Sequence, residues 1–185
     1  MKKLITMALL LVSMTAGAQE IQFNAEGCYE VKKVVTAENM TASDLYTKAL
    51  VSLSDWEGSQ QKTKANVDVQ DKEQGLVVYK GQIYLGYGKQ NALYGWDTYA
   101  DFTLKVRCKE GKAQLTIIVP SLSYYWTADN TEYSAPINEL LPEYHHKAKM
   151  LVKKASIALA PKVPEEVEKV ITTIGNKMTA VEDDF

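Results

Sequence analysis

The chain has 185 residues, 46% of them hydrophobic and 24% charged, which suits one medium globular domain with its own core. A formal net charge of −2 supplies no basic field for nucleic acid or for anionic lipid headgroups. Two cysteines permit a single disulfide connectivity, and a Cys pair alone lacks the ligand spacing of a metal site.

Residues 1–18 read as a cleaved signal peptide. Lys2 and Lys3 form its positive region, residues 4–12 its apolar run, and Ala16-Gly17-Ala18 a small-residue cleavage site. The apolar run falls well short of the ~20 residues that a spanning helix needs. No Cys ends it, so no lipid-modified N-terminus is expected. The mature chain is expected to start near Gln19, to carry −4 once the two leader lysines are gone from −2, and to be exported by a Sec-type route to the periplasm or medium, with no transmembrane segment left. That compartment permits disulfides. Cys28 and Cys108 both stand at edges of apolar strand patterns, and two readings stay open: a Cys28–Cys108 bridge, or two buried thiols acting as small hydrophobes.

Residues 19–27 read as a flexible polar lead-in, 28–160 as one α+β domain, and 161–185 as a C-terminal helix and tail. A strand is predicted over 28–35. Thr41 with Asp44 three residues later resembles a capping box with Asp in place of Glu. It opens a helix whose buried face carries Leu45, Ala49, Leu50, Leu53 and Trp56, and which Gly58 ends. Residues 62–70 alternate, with Ala65, Val67 and Val69 to one side, as a half-buried strand does. A polar turn over 71–75 leads into a strand over 76–85. Residues 86–97 then form the longest predicted loop, with three glycines and three large aromatics.

The strand over 98–108 places Ala100, Phe102, Leu104, Val106 and Cys108 on one face and Tyr99, Asp101, Thr103, Lys105 and Arg107 on the other. A turn at 109–111 leads to a strand with Ala113, Leu115, Ile117 and Val119 inward, which Pro120 is expected to stop. A second aromatic loop follows over 121–136. Helices are predicted over 141–158 and after the 160–164 linker, the last with Glu165 and Glu166 at its positive end and an apolar stripe of Val167, Val170, Ile171, Ile174 and Met178. The order is β-α-β-β-β-β-α(-α): a curved antiparallel sheet with one face buried under helices.

Two stretches carry a family resemblance. Asp44-Leu45-Tyr46-Thr47-Lys48-Ala49-Leu50, and then the run from Val69 through Asp71-Lys72-Glu73-Gln74-Gly75 to Lys80-Gly81, resemble a bacterial domain-of-unknown-function family assigned a TBP-like fold. Its members are typically exported proteins of Gram-negative, gut-type bacteria. They show a Leu-Tyr-x-x-Ala helix, an acidic D-x-x-x-G turn and a strand ending in K-G. Members often carry a Trp a few residues after the Leu-Tyr pair; here Ser52 stands there and Trp56 follows one turn later. The resemblance spans roughly 28–120 and implies a curved antiparallel sheet backed by helices. It implies neither DNA binding, since fold is not function, nor any catalytic or binding residue.

Catalytic signals are sparse. His145 and His146 are adjacent on a predicted helix, so they diverge by about 100° and cannot share a metal. No nucleophile elbow, HExxH motif or phosphate-binding glycine loop occurs, and no cofactor is expected. The positive signal is aromatic. Tyr87, Tyr94, Trp96, Tyr124, Tyr125 and Trp126 are the candidate binding residues, because aromatics offer large rigid contact area; the alternative is that strand tyrosines simply pack on one another. The sequence therefore predicts an exported, non-catalytic binding or envelope-associated module whose partner is an envelope protein, a peptide or a glycan. The alternatives are a carrier of a small apolar or amphipathic ligand held between sheet and C-terminal helices, and a hydrolase with an unrecognised site.

Overall fold

The structure, a computed structural model, describes residues 23–59, 65–89, 95–126, 131–140 and 159–180. The leader, Tyr94, the adjacent histidines and the helix expected over 141–158 lie outside the described residues. In chain order come β1 (Tyr29–Thr36), α1 (Ala42–Ser59), β2 (Ala65–Asp71), β3 (Leu76–Lys89), β4 (Gly95–Lys109), β5 (Lys112–Trp126), β6 (Glu132–Pro136), two short 3-10 turns (Ile137–Leu140 and Ala160–Lys162) and α2 (Val163–Thr179). The six strands form one antiparallel sheet in the order β1-β5-β4-β3-β2, and β6 also pairs with β5. This is the expected α+β architecture with one strand added.

Helix α1 starts as its sequence demands. The Asp44 amide donates to Thr41 Oγ1 at 3.1 Å, and the Thr41 amide donates back to Asp44 Oδ2 at 3.0 Å. That reciprocal pair satisfies two of the donors a helix start leaves unpaired. The Thr41 bonds also hold the Asp44 carboxyl below its ordinary range. Leu45, Tyr46, Ala49, Ser52, Leu53 and Trp56 are buried against the sheet. Trp56 meets Phe102 and Tyr79 edge-on at 5.6 and 6.3 Å. In α2 the whole predicted stripe is buried, and Lys169 bridges Glu165 and Glu166 on the solvent side. Helix α1 lies over β3 and β4, α2 over β1, and the helices touch each other. Lys177 pairs with Asp55 at 3.1 Å, and Lys33 of β1 donates to Thr172 at 2.7 Å.

Five expectations change. Residues 86–97 are mostly strand: Gly86 pairs with Thr98, Tyr87 with Asp97, Gly88 with Trp96 and Lys89 with Gly95. The glycines there serve the pairing. Leu85 is the extra residue of a bulge, and a Cβ on Gly95 would collide with the Tyr87 ring and the Gly88 carbonyl, so only Gly lets that ring lie over the strand. Pro120 does not stop β5, which runs on to Trp126. Val119 and Pro120 together oppose Phe102, so the residue without an N–H sits in a bulge, at the point where the edge of β5 passes from β1 to β6. The 121–136 stretch is consequently the end of β5 and β6. In β2 a register shift between Val67 and Val69 sends these residues to opposite faces, and both are exposed. The lead-in is pinned from Phe23 onward, because Asn24 Oδ1 accepts from the Glu26 and Cys28 amides, each at 3.0 Å.

The cysteines are free. Tyr29, next to Cys28, pairs with Val119, whereas Cys108 pairs with Ala113. Six residues of β5 separate those positions, about 20 Å at strand rise, far beyond the ~7 Å that a bridge tolerates. The disulfide reading is therefore corrected to two separate thiols.

Candidate functional site

The pleat divides the sheet into two unlike faces. Tyr79, Phe102, Leu104, Val106, Leu115 and Ile117 are buried on the face that α1 and α2 cover. Among the described residues no helix packs on the other face, where Lys32, Val34, Lys105, Arg107 and Gln114 are exposed. Register and alternation then place each candidate aromatic. Trp96, Tyr124 and Trp126 stand on the helix side; Tyr87 and Tyr125 stand on the open side. Trp96 lies against its cross-strand partner Trp126, with ring centroids 4.3 Å apart, and meets Tyr133 edge-on at 5.6 Å. Trp96 and Tyr124 are buried, so they act as packing and present no contact surface. The two expected aromatic loops are thus two aromatic groups set back to back through the end of the sheet.

On the open side the aromatics form a row across three strands. Tyr84, Tyr99 and Tyr125 follow one another with centroids 5.3 Å apart at each step; Tyr99 at the centre is itself buried, and Tyr84 and Tyr125 are half-buried on either side of it. Asp101 lies beside them and organises the polar groups. Its Oδ2 accepts from Ser121 Oγ at 2.8 Å and Ser123 Oγ at 2.6 Å, and its Oδ1 accepts from Gln82 Nε2 at 2.9 Å. Tyr84 donates to Asp97 at 2.9 Å. Gln82 Nε2 also donates to the Tyr125 hydroxyl at 3.4 Å, and burial raises the pKa of that phenol. Tyr87, at the end of this region, is 44% exposed.

Further along the same face lies a shallow groove of about 310 Å³, lined by Glu30, Lys32, Lys105, Arg107, Gln114, Thr116 and Ile118. Thr116 is the register partner of both Lys32 and Lys105, and Gln114 that of Arg107. Lys32 pairs with Glu30. Bonds from Lys32 and Asn24 hold the Glu30 carboxyl below its ordinary range. Among the described residues no carboxylate lies within ion-pair distance of Lys105 or Arg107. Reading for aromatics missed this groove and the Asp101 network. The signal available was the outward row Asp101, Thr103, Lys105, Arg107, polar at every second position.

A family model described as "Domain of unknown function (DUF4468) with TBP-like fold" matches residues 32–122. This stretch belongs to the DUF4468 family. The DUF4468 stretch runs from β1 to Leu122 of β5 and so holds Lys32, Lys105, Arg107 and Asp101, with Tyr125 just past its end. The chain is also similar to a crystal structure of a DUF4468 family protein from Bacteroides ovatus, with TM-score 0.60 at 14% identity over 91% of this chain and 95% of that one. A TBP-like protein from Parabacteroides distasonis aligns with TM-score 0.55 at 12% identity over 84% and 97%. At such identities the likeness is one of fold. No curated protein matches the chain. No described helix is long and apolar enough to cross a membrane.

Proposed function

We propose that this protein is an exported, non-catalytic binding module that takes its ligand on the open face of the sheet. The observation that carries this reading is the Asp101 network beside the Tyr84–Tyr99–Tyr125 row, built on the face that no described helix covers. A face with no role beyond solubility needs only scattered charge. This one spends a part-buried carboxylate on fixing two serines and a glutamine, and rigid polar side chains of that kind favour recognition by cutting the entropy lost on binding. Export rests on the Lys2-Lys3 region, the apolar run and the Ala16-Gly17-Ala18 site.

Two readouts test the proposal. Terminal sequencing of protein recovered from its host is expected to give Gln19 first; an intact leader on cytoplasmic protein would overturn export. Hydroxyl-radical footprinting in the presence of envelope extract is expected to protect Tyr87 on the open side and leave Tyr133 on the helix side reactive. Protection of Tyr133 alone would put the binding surface on the wrong face.

A further inference from the structure

The open face changes character along its strands. Around Asp97 and Asp101 it offers tyrosine rings, serines and carboxylate acceptors. Around Thr116 it offers three cations, Lys32, Lys105 and Arg107, against the single carboxylate of Glu30. Lys32 and Lys105 stand two strands apart with Thr116 between them, about 10 Å at sheet spacing, and Arg107 is two residues from Lys105 on the same face, about 7 Å. Three cations at these separations suit an anion that enters between them, and Gln114 and Thr116 on the floor supply neutral hydrogen-bonding groups.

Three features narrow the chemistry of that anion. The floor strands β4 and β5 are hydrogen-bonded on both sides, so a peptide lying there finds no free backbone edge to pair with. A ligand must be read through side chains alone. Asp97, Asp101 and Glu30 share the face, and they repel a ligand as densely charged as nucleic acid, which carries one negative charge per ~1.7 Å of duplex. The charge must therefore be sparse. Finally, Asp101 lies on the same face of β4 as the groove, six residues from Arg107, about 20 Å. A ligand that reaches from the groove to this carboxylate is extended, carries hydroxyls that can donate to Asp101, and bears a carboxylate where the lysines stand.

We propose that the groove of Lys32, Lys105 and Arg107 is the acid-recognition subsite for a carboxylated oligosaccharide, its uronate carboxylates held by these cations and its neighbouring hydroxyls by the Asp101 region. This rests on the open face being the binding surface.

The test is calorimetric titration of the purified protein with an oligogalacturonate of defined length, its neutral methyl ester, and an oligoglutamate of equal charge. Each is followed also by Tyr87 footprinting. The oligogalacturonate is expected to bind, to weaken as salt rises from about 50 to about 200 mM, and to lose at least about tenfold, roughly one charge-assisted contact, when the ester replaces the acid or in K105Q/R107Q. Both side chains are exposed and unpaired among the described residues, so the double variant is expected to melt as the wild type does. Ester binding as tight as acid, oligoglutamate binding as tight as the sugar, or an unaffected double variant overturns the subsite. If the ester binds and still protects Tyr87, the open-face reading survives that failure. If no saccharide binds and envelope extract also leaves Tyr87 reactive, both fall.

Discussion

Asp101 of β4 accepts a 2.6 Å hydrogen bond from Ser123 of β5, a serine only 3% exposed, and so fixes a polar position beneath the tyrosine row. The same carboxylate holds Ser121 and Gln82. Hydrogen bonds to a charged acceptor contribute about 1.5–3 kcal/mol, and a buried hydroxyl left alone costs about 1–3 kcal/mol. Asp101→Ala is expected to lower stability by about 2–3 kcal/mol in urea unfolding, and Asp101→Asn by less, because the amide keeps one acceptor oxygen. A D101A midpoint equal to wild type would show that the network is ornamental and weaken the case for a built surface.

Gly75 closes the acidic turn that carries half of the family resemblance, and its role there is physical. Its φ is +60°, and a Cβ would sit 2.6 Å from the Cys108 carbonyl oxygen. Its own carbonyl accepts from the Cys108 amide at 2.8 Å, while Asp71 Oδ1 receives the Gln74 amide at 2.9 Å. A left-handed conformation costs a side-chain-bearing residue about 1–2 kcal/mol, and the clash with backbone adds to this. Gly75→Ala is expected to cost at least about 2 kcal/mol in denaturant unfolding, and Asp71→Ala about 1 kcal/mol. A neutral G75A would mean that the turn relaxes freely and that the D-x-x-x-G pattern has another cause.

The two thiols should behave differently. Burial pushes the Cys108 thiol up to about 11, while Cys28, raised by burial and then by Glu26 and Glu30, remains partly exposed. Native-state alkylation at pH 8 is expected to label Cys28 and spare Cys108, because the thiolate is the reactive form and access is also needed. For Cys108 the folded value lies above the unfolded one. Its contribution is therefore whole below about pH 8.5 and is lost as pH rises through about 11. Between those limits wild-type stability is expected to fall by on the order of 3 kcal/mol more than that of Cys108→Ala. Parallel pH profiles for the two proteins would contradict this placement of Cys108.

Features set by neighbours in sequence were legible before the structure. The Thr41–Asp44 cap, the apolar stripes of α1 and α2 and the inward faces of β4 and β5 all depend on local spacing, and the structure retains them. Features set by distant partners were not. Gly86, Gly88 and Gly95 read as loop residues, yet pairing between β3 and β4 carries the strands through them. Pro120 reads as a stop, but a bulge absorbs it while β6 extends the pairing. The groove is less legible still. Lys32 meets Lys105 and Arg107 only because β5 lies between β1 and β4, a strand order that no run of residues announces.

The central claim is that ligand binds the open face and not the helices. Chemical-shift mapping with oligogalacturonate on isotope-labelled protein tests it most directly. The largest shifts are expected at Lys32, Lys105, Arg107, Gln114 and Thr116, with α1 and α2 unmoved. Shifts gathered on α1 and α2, or no shifts at all, would contradict it.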